Sequence, residues 1–328
     1  MFFDDSPLLW TAFFAIITFV LALDLGILNR EAHRITPRAA LGWFILWVLL
    51  AFAFAGAVWH FYGSIKGIDF ITAYLIEKSL SVDNLFVFVL VFRFFRVEDK
   101  YQHRILFWGV LGAIVMRAIF IFAGVALIQK FHWITYLFGG FLIYTGIKLF
   151  FDGEEEEAEF AENLGIRLVK RFFSVSSQYD GQKFFTIENG RRMATPLFLV
   201  LVVIEITDLV FAVDSIPAVL AVSSDAFIVF TSNIFAIMGL RSMYFLLANI
   251  IDRFSHLKYG LAFILAFVGV KMVLAGINPD WKIPSPVSLA VVASTLAISI
   301  AVSLLLSART TSSAEAPKTP AEAVEEKT

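Results

Sequence analysis

The segment Glu77–Phe88 reads EKSLSVDNLFVF and lies inside an apolar stretch that is long enough to cross a lipid bilayer. It begins with two charged residues, and Asp83 and Asn84 follow within the same stretch. A charged side chain at the centre of a membrane helix costs about 2.5–3.5 kcal/mol on insertion scales, so such residues are retained mainly where they serve a function. The segment therefore predicts a polar functional site inside a membrane domain.

The composition extends this interpretation to most of the chain, because 59% of the residues are hydrophobic, far more than in soluble domains. Apolar segments of membrane-spanning length recur along the sequence and predict an all-α polytopic membrane protein with about nine transmembrane helices. The predicted spans are residues 8–28, 39–60, 69–92, 105–128, 133–150, 196–222, 226–249, 259–276 and 287–307. The absence of cysteine excludes disulfides, thiolate metal sites and thiol redox chemistry.

The basic residues predict how the spans are oriented. Alternate loops carry 19 Lys and Arg residues, whereas the other set carries only Lys66, Lys130 and Lys282. Cytoplasmic loops of membrane proteins are enriched in Lys and Arg. The pattern predicts an extracytoplasmic N-terminus and a cytoplasmic C-terminus.

Two polar segments interrupt the predicted membrane domain of residues 1–307. Residues 151–195 predict a cytoplasmic insertion, with a surface helix whose apolar side lies against the bilayer. A hairpin is expected around Asn189-Gly190, a pair that favours a tight turn. Residues 308–328 contain few large apolar side chains, which predicts a disordered cytoplasmic tail.

The membrane domain contains an internal repeat of three spans, in residues 69–150 and 196–276. Alignment of EKSLSVDNLFV with DLVFAVDSIPA places Glu77 on Asp208, and the next two spans match in the same order with a nearly constant offset. The other aligned pairs of interest are Asp83 with Asp214, Asn84 with Ser215, and Arg117 with Arg241. The loop charges give the two units opposite directions. Inverted repeats of this kind build many secondary transporters, whose sites lie near the membrane midplane.

Four motifs resemble the TerC family of integral membrane proteins, and within it the Alx-like members. They are YLIEKSLSVDNLFVF (74–88), EITDLVFAVDSIPAVLAV (205–222), TSNIFAIMGLRSMYFLL (231–247) and LKYGLAFILAFVGVKM (257–272). The resemblance covers nearly all of residues 8–307. It implies a role in manganese export across the bacterial inner membrane.

Polar residues within the spans are the candidate ion ligands. The principal candidates are Glu77, Asp83, Asn84, Glu205, Asp208, Asp214 and Ser215. The secondary candidates are Asp24 and the backbone carbonyl of Val213, and the basic residues Arg117 and Arg241 are expected to be structural counter-charges beside the site. Oxygen ligands suit Mn²⁺, Mg²⁺ or Ca²⁺, and the five histidines lie at span ends or in loops. We expect a divalent ion and the lipid bilayer as partners, no nucleic acid and no tightly bound cofactor.

The spacing of the acidic residues constrains the geometry. On one regular helix Glu77 and Asp83 would face about 120° apart and lie about 9 Å apart along the axis, so they could not easily share an ion. A broken helix would bring them closer, and Pro217 would free the carbonyl of Val213 in the second unit. Lys271 is expected to extend towards the membrane surface.

Several functions fit a polytopic membrane protein with buried acids. A cation exporter that exchanges the metal for protons, with Glu205 as the proton carrier, is the function the sequence favours. An intramembrane aspartyl protease is disfavoured because no GxGD motif surrounds any acidic residue. A scaffold or sensor in a tellurite-linked stress-resistance complex and an exporter of small solutes remain alternatives. A scaffold would tolerate neutral replacement of the acids.

Overall fold

The computed structural model describes residues 7–23, 36–151, 155–176, 178–188, 190–248 and 257–314. This described part of the chain is almost entirely helical. The helices are α1 (Pro7–Leu23), α2 (Pro37–Tyr62), α3 (Ser64–Phe94), α4 (Asp99–Lys130), α5 (Ile134–Phe151), α6 (Glu155–Phe172), α7 (Pro196–Leu220), α8 (Ala226–Met238), α9 (Leu240–Leu247), α10 (Leu257–Ile277) and α11 (Ser285–Ala314). The strands are β1 (Phe185–Glu188) and β2 (Arg191–Ala194).

The helices confirm the all-α polytopic class. Among the described residues, seven segments are long and apolar enough to cross a membrane: α2, α4, α5, α7, α8 together with α9, α10, and the first part of α11. The remaining two of the nine predicted spans correspond to α1, whose apolar part is shorter, and α3. α3 has the required length but carries several charged residues along it, from Lys66 to Asp83.

The two helices that carry the acidic motifs are continuous, so the predicted helix break near these acids is wrong. α3 runs without interruption past both Glu77 and Asp83. α7 continues through Pro217 and ends only at Leu220. A proline in the last turn removes a single backbone hydrogen bond, to the carbonyl of Val213, and leaves the rest of the helix intact.

A break of one residue occurs instead in the span predicted as residues 226–249, where α8 ends at Met238 and α9 begins at Leu240, although Gly239 itself keeps right-handed helical φ and ψ angles. The Nζ of Lys78 donates a hydrogen bond to the carbonyl oxygen of Ala236, at 3.2 Å. Gly239 makes room for this ammonium group, because a Cβ on Gly239 would lie 2.5 Å from Nζ. A lysine from α3 therefore satisfies a backbone acceptor next to the break.

The packing of the central helices is that expected of the predicted inverted repeat. In the predicted repeat, α3 corresponds to α7 and α4 corresponds to α8. α3 packs on α8 and α4 packs on α7, so exchanging the two units converts the first contact into the second. The pairs α3 with α7, α4 with α8, and α5 with α10 are also in contact, and each pair maps onto itself under the exchange. These contacts support the inverted repeat, which stays a prediction.

Close helix contacts repeat the same relationship at the residue level. A Cβ on Gly139 would lie 2.9 Å from the carbonyl oxygen of Gly269, and a Cβ on Gly146 would lie 2.7 Å from that of Ala262. In the register of the repeat, Gly139 corresponds to Ala262 and Gly146 to Gly269, so the two contacts exchange. They also show that α5 and α10 are antiparallel, as an inversion requires.

The segment between α5 and α7 contains the predicted hairpin. β1 and β2 are antiparallel, Glu188 pairs with Arg191, and Gly190 has a φ of 75°. Beside the hairpin, hydrogen bonds from Lys183 and Thr186 hold the pKa of Asp180 below its ordinary value.

The structure bears on both polar segments. α6 packs on α7, since Val169 is buried with Leu199 and a Cβ on Gly165 would lie 2.7 Å from the Val203 side chain; Leu168 and Phe172 of α6 are exposed, and contact of this helix with the bilayer stays a prediction. α11 continues to Ala314, so residues 308–314 of the segment predicted to be disordered are helical. Residues 315–328 lie outside the described part of the chain.

Candidate functional site

Arg117, on α4, lies at the centre of a buried polar cluster and is 0% exposed. Its Nε donates to Oδ2 of Asp208 at 3.2 Å, and its Nη2 donates to Oδ1 of the same carboxylate at 2.9 Å. This two-point pairing is the geometry that makes arginine–carboxylate bonds strong and specific. Arg117 is therefore an integral member of the site and not a distant counter-charge.

The third nitrogen of the guanidinium group connects the other helices. Nη1 of Arg117 donates to Oε1 of Glu77 on α3. It also lies 3.4 Å from Oγ of Ser215 on α7 and 3.4 Å from Oδ1 of Asn233 on α8. One side chain of α4 thus contacts the three other central helices.

The two acidic motifs meet in a pairwise arrangement. Nδ2 of Asn84 donates to Oδ1 of Asp208 at 3.3 Å, and Glu77 meets Ser215 at Nη1 of Arg117. Because Glu77 corresponds to Asp208 and Asn84 to Ser215, the repeat exchanges these two contacts. Antiparallel packing of α3 and α7 brings the corresponding groups together.

The cluster retains acceptor oxygens that have no hydrogen-bond partner among the described residues. They are Oε2 of Glu77 and Oδ1 of Asn84, and both side chains are almost fully buried. Buried polar atoms are usually hydrogen-bonded, and leaving one unpaired costs free energy. The acceptors are hard oxygen atoms, the type of ligand that Mn²⁺, Mg²⁺ and Ca²⁺ prefer.

Three other predicted ligands lie outside this cluster. Asp214 accepts a hydrogen bond from Oγ1 of Thr145 on α5, at 3.3 Å. Glu205 faces α4, where a Cβ on Gly112 would overlap its carboxylate, and its Oε2 has no partner among the described residues. Val213 is 48% exposed and faces away from the cluster.

The remaining candidates take no described part in the cluster. Arg241 is partly buried on α9. The side chain of Asp83 and the whole of Asp24 lie outside the described part of the structure.

Lys271 differs from the expectation that it extends to the membrane surface. It is 3% exposed, and Asp69 on α3 interacts with it electrostatically. Asp69 supplies the negative charge that makes a buried lysine tolerable.

Sequence reasoning missed Asn233 and Thr145. Both are polar residues in apolar spans, and this is the signal that could have identified them.

No group of three or more His, Asp or Glu side chains within the described residues is arranged to hold a metal ion. The cluster instead combines two carboxylates, two amides and a hydroxyl around one guanidinium group. Such an arrangement can bind a cation through oxygen atoms if the guanidinium group moves away. As the structure stands, the two carboxylates are neutralised in part by Arg117.

The described residues form seven segments that are long and apolar enough to cross a membrane, and a buried ion-pair cluster lies between them. These features indicate a multi-pass integral membrane protein. The chain belongs to the integral membrane protein TerC family, whose model matches residues 62–311. This finding agrees with the class indicated by the fold, and no enzymatic family is indicated.

Several curated proteins resemble the chain over nearly its whole length. A membrane protein of Myxococcus xanthus named STKORF319 is 52% identical over 95% of this chain and 97% of its own length. Alx of Escherichia coli (strain K12), named as a candidate membrane-bound redox modulator, is 46% identical over 88% of this chain and 91% of its own. A membrane protein of Rickettsia bellii is 38% identical over 90% of this chain and 97% of its own. No solved structure matches the chain significantly.

Proposed function

We propose that this chain is a secondary transporter that exports Mn²⁺ from the cytoplasm across a bacterial inner membrane. The observation that carries the proposal is the convergence of Glu77 and Asp208, from antiparallel membrane helices, in one buried cluster of oxygen atoms. Two carboxylates balance the charge of one divalent ion. The proposed orientation has the N-terminus outside and the C-terminus in the cytoplasm, as the loop charges indicate.

The helix packing adds support from a different observation. A site where the corresponding residues of two inverted units meet is the arrangement that lets a transporter open to either side by rocking one unit against the other. Here the aligned acids Glu77 and Asp208 share one arginine. The proposed ion site lies at that meeting point.

Export of a divalent ion from a negative-inside cell requires energy, about 2.3 kcal/mol per charge for each 100 mV of membrane potential. We propose that incoming protons supply it and that Glu205 carries them. Glu205 precedes Asp208 by three residues, so its backbone lies about 4.5 Å nearer the N-terminal end of α7. The loop charges place that end on the cytoplasmic side.

The names of the Alx relatives suggest redox modulation, and a scaffold, a sensor or a small-solute exporter could share this fold. Thiol exchange by the chain itself is excluded because it has no cysteine. A scaffold or sensor does not require two buried carboxylates to remain ionisable, whereas an ion transporter does. Measured ion flux therefore separates these functions.

The test is Mn²⁺ flux into or out of vesicles that contain the purified protein. We expect transport by the unmodified chain and its loss in Asp208→Asn. The matched control is Asp225→Asn, because Asp225 caps α8 through the backbone N–H of Phe227, a bond that asparagine can also accept. Equal Mn²⁺ transport by the unmodified chain and by folded Asp208→Asn would refute the proposed ion site, and no flux above empty vesicles would refute the transporter.

A further inference from the structure

The guanidinium group of Arg117 lies among the same oxygen atoms that the proposed function assigns to the ion. Its described hydrogen bonds all go to oxygen: the carboxylates of Glu77 and Asp208, the hydroxyl of Ser215 and the amide oxygen of Asn233. An arginine that served only to neutralise one acid would need one of these contacts. Instead one cation is surrounded by ligands from α3, α7 and α8.

We propose that Arg117 is an internal cation that competes with the transported ion for Glu77 and Asp208 and thereby determines which ions the site accepts. This inference rests on the proposed function. When the site holds no metal, the guanidinium group neutralises part of the charge of the two carboxylates. When a metal enters, Arg117 gives up both acids.

Charge makes the competition selective. A guanidinium group carries one positive charge and supplies several N–H donors in a fixed geometry that matches carboxylates. A monovalent ion that replaced it would bring no additional charge and would lose those directional bonds. A divalent ion brings twice the charge, and it can also use Oε2 of Glu77 and Oδ1 of Asn84, which have no partner among the described residues.

A static structural role makes a different prediction. Removing one partner of a buried ion pair leaves an uncompensated charge and destabilises the protein. If Arg117 served only in this way, its removal would weaken the fold and would not improve ion binding. If Arg117 is a competitor, its removal leaves two free carboxylates and improves ion binding even though the metal-free protein is less stable.

The experiment measures Mn²⁺ binding to the purified, detergent-solubilised full chain by the loss of the electron paramagnetic resonance signal of free Mn²⁺. We expect Arg117→Gln to bind Mn²⁺ about ten- to a hundredfold more tightly, the factor obtained if the ion-accepting state is populated at about 1–10% in the unmodified chain. The Mn²⁺ affinity of Arg117→Lys should lie between those of the unmodified chain and Arg117→Gln, because an ammonium group keeps the charge but lacks the two-point geometry. Lys271→Gln removes another buried cation, on α10, and should leave the affinity unchanged.

Competition by other cations supplies the specificity readout. In the unmodified chain, Na⁺ and guanidinium ions should not displace Mn²⁺, because the site already holds a tethered monovalent cation. In Arg117→Gln both should displace Mn²⁺ in a concentration-dependent manner. If Arg117→Gln does not fold, displacement of Mn²⁺ by Na⁺ is measured in Arg117→Lys instead. Lysine is the weaker internal competitor, so Na⁺ should displace Mn²⁺ more readily than in the unmodified chain.

The outcomes separate the two proposals. If the unmodified chain binds Mn²⁺ and folded Arg117→Gln binds it equally or more weakly, the competition is overturned and the ion site remains supported. Where the glutamine variant does not fold, the same comparison is made with folded Arg117→Lys. Unchanged sensitivity to Na⁺ in every folded Arg117 variant also overturns it. The absence of Mn²⁺ binding in all variants, including Arg117→Gln, overturns both the ion site and the competition.

Discussion

Gly139 of α5 and Gly269 of α10 lie so close that a Cβ on Gly269 would be 2.7 Å from the carbonyl oxygen of Gly139. Small residues allow membrane helices to approach at backbone distance, where van der Waals contact is greatest. The glycine contact holds α5 and α10 together as a pair. The two helices occupy corresponding positions in the predicted repeat, so the pair lies where its two units are expected to meet.

Replacing Gly269 with alanine should separate α5 from α10. The added methyl group would overlap backbone atoms, which cannot turn aside as a flexible side chain can, and overpacking of this kind costs about 1–3 kcal/mol. We expect a lower midpoint of thermal unfolding in detergent, measured by size-exclusion chromatography after heating. Gly140→Ala is the control, because a Cβ there would meet nothing within 4 Å. Equal midpoints for the two variants would contradict the close contact.

The sequence predicts that Glu77, Asn84, Asp208 and Ser215 contribute to one polar site, because inverted repeats of this kind hold their sites at the interface between the two units. The contact of Asn233 with the cluster cannot be predicted from the sequence. Every residue of α8 is buried, so the hydropathy pattern does not indicate which side of the helix faces the site. The break at Gly239 cannot be predicted from the sequence either, because the ammonium group beside it comes from Lys78 on another helix. Contacts between distant segments decide both features, and local patterns do not contain them.

The orientation of the chain is testable with single cysteines in this cysteine-free sequence. Ser64 at the start of α3 is exposed, and Ile187 in β1 is 76% exposed, so neither substitution should disturb the fold. The loop charges predict that Ser64→Cys reacts with a membrane-impermeant maleimide in intact spheroplasts. Ile187→Cys should react only after the membrane is permeabilised. Labelling of both from the same side would contradict the proposed topology.

Thr145 should position Asp214 for the passage of the ion. Its Oγ1 donates a hydrogen bond to Oδ1 of Asp214, at 3.3 Å, and so links α5 to α7. Thr145→Val removes the donor and keeps the shape, and loss of a hydrogen bond to a charged group costs about 1.5–3 kcal/mol. We expect slower Mn²⁺ flux in vesicles, with Asp214→Asn slower still. Thr145→Ser keeps the hydroxyl and should retain the flux; a valine variant as fast as the serine variant would show that the bond is dispensable.

Gly112 provides the space for the carboxylate of Glu205, and this relationship tests the proposed proton carrier without changing an acidic residue. A Cβ on Gly112 would overlap that carboxylate, so Gly112→Ala should displace it. Gly109→Ala, about one turn away on α4, is the matched control, because its Cβ would meet the side chain of Ile204 at an ordinary 3.4 Å.

If Glu205 carries the exchanged protons, an inward proton gradient should accelerate Mn²⁺ export in vesicles that contain the unmodified chain or Gly109→Ala. Gly112→Ala and Glu205→Gln should both lose this acceleration, because one displaces the carboxylate and the other removes its charge. Both should still bind Mn²⁺, since Glu77 and Asp208 remain in place. The expected result is flux that no longer depends on the pH difference. Normal acceleration in both variants would exclude Glu205 as the proton carrier and would require a different counter-ion.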